Sequence, residues 1–190
     1  MKVLIPVLLI SGTLLAGCSR FNPEEEFAKA QQAHQLAQKQ ADTLRTLERR
    51  LEVFKKPLDL YQAVVKEAPA SAQAESSSFL IATILNSETR QPDLAVEAYK
   101  SYIRDYPNGK QAPIAMFMIG FIYNNQIARY DSAEAAYKRF LEKYPQHEMA
   151  MAAQQELNNL GKPPEQWLPQ NQVAETAKKA PPKKPVKKGK

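Results

Sequence analysis

The chain has 190 residues, with 26 lysines and arginines, 20 aspartates and glutamates, and one cysteine. This length accommodates one medium domain with non-globular ends and excludes two large domains. A single cysteine excludes an internal disulfide, so the fold depends on a packed core. Residues 171–190 contain seven lysines and one glutamate, so the net charge of +6 belongs to this segment and the rest of the sequence is neutral.

Residues 1–17 contain one lysine followed by an apolar stretch, a pattern that predicts a secretory signal peptide. The stretch is shorter than the roughly 20 residues that span a bilayer and is interrupted by Pro6, so a permanent transmembrane helix is the weaker interpretation. Residues 15–18 read Leu-Ala-Gly-Cys. This tetrapeptide resembles the lipobox of bacterial lipoproteins, which implies cleavage before Cys18 and acylation of its sulfur. The alternative is a chance cysteine behind an ordinary signal peptide.

The residue after the predicted cleavage site bears on location. Ser19 stands where the inner-membrane retention signal of enteric lipoproteins is aspartate. The resemblance therefore implies an outer-membrane protein that faces the periplasm, with residues 18–22 as a lipidated tether.

The mature chain is expected to begin with a helix. Asn22 and Pro23 fit an N-cap followed by the first helical position, and three glutamates then face the positive end of the helix dipole. Apolar residues continue at helical spacing, which predicts an amphipathic helix over residues 23–56, continuous or broken once, that ends before Pro57. We interpret it as a degenerate first repeat.

The sequence from Pro57 onward repeats itself. Three tyrosines recur at intervals of 38 residues, and three prolines recur at the same interval. Such a period predicts an array of helical units. The recurring residues are Tyr61, Tyr99 and Tyr137, and Pro69, Pro107 and Pro145.

The third unit resembles a tetratricopeptide repeat (TPR), whose pattern is W-x₂-L-G-x₂-Y…A-x₃-F…P. It supplies Met116, Ile119, Gly120, Tyr123, Ala133, Tyr137 and Pro145, and the second unit keeps Ala95, Tyr99 and Pro107. In such a repeat the glycine and the alanine let helices A and B approach closely, and the proline ends helix B. The length beyond the usual 34 residues is expected in the joints, with one extra residue between helices A and B and three after the proline, around residues 108–110.

These observations predict an all-α protein, a TPR-like solenoid of helical hairpins. About three repeats and a capping helix that ends at Gly161 would occupy residues 57–160, after the long N-terminal helix. Residues 161–190 are rich in proline and lysine, which predicts a disordered basic tail.

In TPR proteins the concave face is lined mainly by helices A and binds the partner. The resemblance implies a groove on that face, and its two phenylalanines from one unit favour an apolar or extended peptide. In the alternative, Phe117 and Phe121 pack internally against Tyr123 or the terminal helix. The predicted groove residues are Phe79, Thr83, Asn86, Phe117, Phe121 and Asn124.

Catalytic motifs are missing from the sequence. His34 and His147 have no histidine or cysteine at ligand spacing and are expected to be surface or joint residues. Gly109 and Gly120 are the only glycines between residues 19 and 160, so a glycine-rich phosphate loop cannot form there. The sequence predicts neither an enzyme nor a metal or cofactor site.

The lipobox and the repeats together resemble cell-envelope TPR lipoproteins, such as outer-membrane assembly lipoproteins of the BamD type and Tol-Pal-associated periplasmic proteins. The resemblance implies a membrane-anchored, non-enzymatic scaffold that binds envelope proteins, not nucleic acid, through its groove. The alternative is a lipid-anchored tether whose basic tail binds anionic lipid, lipopolysaccharide or cell wall. A third interpretation, which concerns the tail alone, is a solvated segment that binds no ligand.

Overall fold

The computed structural model describes residues 21–44 and 46–162, which form seven α-helices and no strand. Each helix packs against the next one along the chain, and this arrangement confirms the predicted solenoid of helical hairpins. The predicted signal peptide, Cys18 and residues 163–190 of the tail lie outside the described residues. The helices are α1 (Pro23–Ala41), α2 (Leu47–Glu67), α3 (Ala72–Thr83), α4 (Pro92–Asp105), α5 (Ala112–Ile122), α6 (Tyr130–Lys143) and α7 (Ala150–Asn158).

The predicted start of the first helix is confirmed. The side-chain oxygen of Asn22 accepts hydrogen bonds from the backbone N–H groups of Glu24 (3.1 Å) and Glu25 (3.3 Å), and Pro23 opens the helix. The N-cap therefore satisfies two donors that have no partner within the helix.

The prediction of a helix that ends before Pro57 is wrong. Helix α1 ends at Ala41 and α2 begins at Leu47, and α2 continues through Pro57 to Glu67. Proline inside a helix costs about 3 kcal/mol because it lacks an N–H and crowds the preceding turn. Pro57 is fully buried among neighbouring helices, and burial of the apolar face of α2 offsets this cost. The predicted boundary between residues 56 and 57 thus falls within a helix, and α1 and α2 form the first hairpin.

The recurring tyrosines lie in the core between the two helices of each hairpin, whereas the recurring prolines are exposed. Tyr61, Tyr99 and Tyr137 are at most 1 % exposed, and Ala95 and Ala133 are completely buried. These tyrosines therefore have a structural role, as predicted.

Gly120 also has its predicted role, because helix α5 passes very close to helix α6 at this point. A Cβ atom added to Gly120 would lie 2.8 Å from a ring carbon of Tyr137. The prolines end the helices B as expected, since α4 ends two residues before Pro107 and α6 ends two residues before Pro145.

The extra residue between helices A and B takes a specific form. α3 and α5 each continue into a π-helical segment, Ile84–Glu88 and Tyr123–Ile127. After these segments, Arg90 and Ala128 adopt left-handed conformations with φ of 51° and 58°. The two residues are 38 positions apart, so the second and third hairpins reverse direction in the same way. A π-turn takes one more residue per turn than an α-turn, which accounts for the one extra residue between helices A and B.

Helix α7 closes the array, as the predicted capping helix does. It packs against α6, and its Ala153 is buried in the same cluster as Phe117, Tyr137 and Phe140. It ends at Asn158, earlier than predicted, and Gly161 then adopts a left-handed conformation with φ of 68°. Within residues 21–44 and 46–162, the helices are too short or too polar to cross a bilayer.

Candidate functional site

In the second hairpin the predicted groove residues largely contact their own repeat. Phe79 is half-buried, and its ring lies edge-on to the rings of Tyr99 and Tyr102, with centroid distances of 5.7 and 5.5 Å. The Thr83 hydroxyl donates to the Phe79 carbonyl at 3.1 Å and lies 3.4 Å from the Tyr99 hydroxyl. Asn86 instead accepts a hydrogen bond from Gln126 of the next hairpin at 2.8 Å. Of these residues, Phe79 lines a shallow cleft of about 430 Å³ beside α3.

In the third hairpin Phe117 is a core residue. It is 8 % exposed, and its ring lies edge-on to Tyr137 (5.6 Å) and Phe140 (6.0 Å) of α6. Phe121 is half-buried and stacks on Phe117 at 6.5 Å. The internal-packing alternative is therefore right for Phe117, which offers little surface to a partner.

The last predicted groove residue, Asn124, contacts the terminal helix α7. The Asn124 amide donates to Glu156 of α7 at 3.0 Å and accepts from the backbone N–H of Gly161 at 3.4 Å. Asn124 therefore fastens α7 to the array, and the six predicted residues do not form one continuous open groove.

A different cleft, of about 690 Å³, lies between α4 and α6. These are the helices B of the second and third hairpins, and the floor between them includes Met116 and Ile119 of α5. Side chains advance by about 100° per residue along a helix, which places Met116 and Ile119 on a different face of α5 from Phe117 and Phe121. The cleft is thus separate from the predicted groove.

Four cations line this cleft, and none of its lining residues is acidic. Lys100 and Arg104 lie one turn apart on α4, and Arg139 and Lys143 lie one turn apart on α6. We call this feature the basic cleft and define it by these four cations and the apolar floor of Ile103, Met116, Ile119, Tyr123 and Ala136.

The cations differ in their partners. Lys100 donates to Glu97 at 2.8 Å and to the Tyr123 hydroxyl at 3.1 Å, and these hydrogen bonds raise the pKa of the Lys100 ammonium. Arg104 forms a two-bond pair with Asp105, at 2.9 and 3.0 Å. Lys100 is therefore charged at neutral pH, and arginine carries its charge at any physiological pH.

Sequence reasoning missed the basic cleft. It located the net charge in the tail and found the remaining sequence neutral, which concealed a local cluster. The available signal was a pair of basic residues one turn apart near the end of two helices B, α4 and α6. Only the fold, in which α5 packs against both α4 and α6, brings the two pairs to opposite sides of one cleft.

His34 is not the surface residue that was predicted. It lies between α1 and α2, with ring centroids 5.9 Å from Phe54 and 6.0 Å from Tyr61, and burial lowers its pKa. His147 lies in the joint before α7, as predicted, and accepts a hydrogen bond from the Met149 N–H at 3.2 Å. Among the described residues, no three His, Cys, Asp or Glu side chains are grouped as a metal site would require.

The comparison with protein families identifies the repeats. Residues 77–109 and 114–147 match the tetratricopeptide repeat model. The matched segments cover most of the second and third hairpins and leave the first outside. A search of curated proteins found no match to the chain. Tetratricopeptide repeats generally bind protein partners, so the repeats indicate a protein–protein interaction scaffold.

Proposed function

We propose that this chain, with tetratricopeptide repeats at residues 77–109 and 114–147, is a non-enzymatic scaffold of the bacterial cell envelope. A lipid on Cys18 would anchor it to the outer membrane, and its helical array would bind envelope proteins at the periplasmic face. The observation that carries the proposal is the order of two features along one chain: the lipobox-like residues 15–18 and then the tandem repeats.

The distance between the lipid and the fold supports this arrangement. Five residue steps separate Cys18 from Pro23, the first residue of α1. An extended chain spans about 3.3–3.6 Å per residue, so α1 would begin at most about 18 Å from the lipid attachment point. Two or more acyl chains would hold the array stably at the membrane surface. A partner would therefore be an integral envelope protein or one that reaches the membrane.

The anchor is tested by mass spectrometry of the mature N-terminus and by fractionation of bacterial membranes. We expect a lipid-modified Cys18 and recovery with the outer membrane. Cys18→Ser should release the chain from the membrane, whereas the neighbouring Ser19→Ala serves as a control that remains anchored. An unmodified Cys18, or a Cys18→Ser variant that stays in the membrane, would contradict the proposed anchor.

The scaffold role is tested by crosslinking in intact cells, followed by identification of the proteins joined to the array. We expect envelope proteins to be recovered with the anchored chain. Their recovery should fall for the Cys18→Ser variant, because an anchored chain meets membrane proteins at a higher effective concentration. A set of crosslinked proteins that is the same as that of an unrelated lipoprotein would count against the scaffold.

A further inference from the structure

We propose that the basic cleft binds an acidic, amphipathic helical segment of a partner protein. The inference rests on the proposed scaffold role and deepens it, because it names the chemistry of the partner and the surface that receives it.

The apolar floor of the cleft is the first observation that supports an amphipathic partner. Met116 and Ile119 form the bottom of the cleft, and Ile103, Tyr123 and Ala136 are half-buried beside them. A volume of about 690 Å³ lies within the usual range for binding pockets, which is about 300–1,000 Å³. The floor can therefore bury a few apolar side chains of a partner.

The positive charge of the cleft rim is the second observation that supports an acidic partner. Within residues 21–44 and 46–162, Arg139 and Lys143 have no acidic partner, although Lys143 donates to the Pro107 carbonyl at 3.4 Å. Lys100 and Arg104 pair with Glu97 and Asp105, which do not line the cleft. Cations near a helix C-terminus complement the helix dipole, which explains their position along α4 and α6. The helix dipole does not explain why all four cations line the same cleft. Binding of an acidic partner explains this arrangement.

The spacing of the cations indicates a helix. On each side of the cleft the two cations are four residues apart, which is about one helical turn or 6 Å. A partner helix with carboxylates four residues apart on both sides of an apolar stripe matches this arrangement. Amphipathic helices bind apolar grooves in this way through residues at positions i, i+3, i+4 and i+7.

Charge excludes this chain's own tail as the occupant. Residues 171–190 carry seven lysines and one glutamate, so the four cations of the cleft would repel them. A second copy of the chain and an anionic lipid remain as competing occupants, and the experiment distinguishes them.

The test uses the purified full chain and a 16-residue helical peptide with leucines along one face and glutamates on both flanks. A second peptide replaces every glutamate with glutamine. We expect fluorescence anisotropy to report binding of the acidic peptide that weakens with salt, and binding of the glutamine peptide that is at least about tenfold weaker.

Variants of the chain locate the site. Arg139→Glu with Lys143→Glu should weaken binding of the acidic peptide at least about tenfold, because attraction becomes repulsion on one side of the cleft. Lys39→Glu with Lys66→Glu makes the same change in net charge at exposed positions outside the cleft and should leave binding unchanged. Ala135→Trp should also block binding, since Ala135 is exposed and lines the cleft.

Three results would overturn the proposal. The first is equal binding of the acidic peptide by the cleft variant and the control variant. The second is binding of phosphatidylglycerol vesicles, without peptide binding, that the Arg139→Glu and Lys143→Glu changes abolish. The third is self-association in analytical ultracentrifugation that these changes abolish, without peptide binding. Each of these leaves the membrane anchor on Cys18 to be judged separately by its own experiment.

Discussion

The first hairpin resembles the two that follow it in the buried positions of helix B and differs from them in those of helix A. In their helices B, the same three positions are buried throughout the array: Pro57, Ala95 and Ala133; Tyr61, Tyr99 and Tyr137; and Val64, Tyr102 and Phe140. These positions repeat at the 38-residue interval. Among the helices A, only α3 and α5 share buried positions at this interval, and the tetratricopeptide match begins only within the second hairpin.

Helix α1 differs from α5 in the size of the side chains that it buries. Its buried side chains are the small Ala30, Ala37 and Ala41, whereas α5 buries Met116, Phe117 and Ile119. α1 ends at Ala41 in a turn at residues 42 and 43, while α3 and α5 each continue into a π-helical segment. The comparison shows that the packing of helix B around its tyrosine defines the hairpin, and that helix A tolerates wider variation.

The largest expected effect tests whether the first hairpin is an integral part of the array. Tyr61→Ala and Tyr137→Ala should each lower the free energy of unfolding by about 3–5 kcal/mol, since each deletes a fully buried ring. Urea unfolding followed by far-UV circular dichroism measures the loss. Tyr130→Ala is the control, because Tyr130 is exposed.

A much smaller loss for Tyr61→Ala than for Tyr137→Ala would show that α1 and α2 unfold separately from the repeats. Such a result would break the equivalence of the three hairpins. Two unfolding transitions in the unsubstituted chain would show the same.

The second prediction concerns the attachment of the first hairpin to the second. Arg50 of α2 donates to the Glu88 carboxylate at 2.9 Å and to the Glu88 carbonyl at 2.8 Å. Both side chains are less than a quarter exposed. Arg50→Ala should lower the free energy of unfolding by about 1.5–3 kcal/mol, because it removes hydrogen bonds of a charged group at a π-helical segment. The neighbouring, exposed Arg49→Ala should have little effect, and equal losses for the two variants would contradict this role.

Sequence reasoning succeeded where the structure repeats. The period placed Tyr99, Tyr137 and the prolines correctly, because one packing solution recurs and leaves the same residues in each unit. It failed at Pro57, since a local rule for ending helices cannot register that burial offsets the cost of a proline.

The candidate sites were harder to predict than the fold. Phe117 lies at a groove position of the repeat pattern, yet α6 and α7 bury it, and the pattern does not describe the terminal helix. The basic cleft depends on two helices whose cations are 35 to 43 residues apart in sequence. Neither local spacing nor net charge reports such a pairing.

The smallest expected effect concerns the left-handed residue that ends each helix A in the second and third hairpins. In this conformation a residue with a Cβ is destabilised by about 1–2 kcal/mol. Glycine has no such steric penalty but loses more chain entropy on folding. Ala128→Gly should therefore raise the free energy of unfolding by up to about 1 kcal/mol, measured by urea unfolding. Ala135→Gly, inside α6, should lower it by about 0.5–1 kcal/mol, because there glycine brings only the entropy cost. Opposite signs at two exposed alanines would show that backbone conformation, and not lost side-chain contact, governs the reversal after the π-helical segment. A loss of stability at Ala128 similar to that at Ala135 would exclude the left-handed turn.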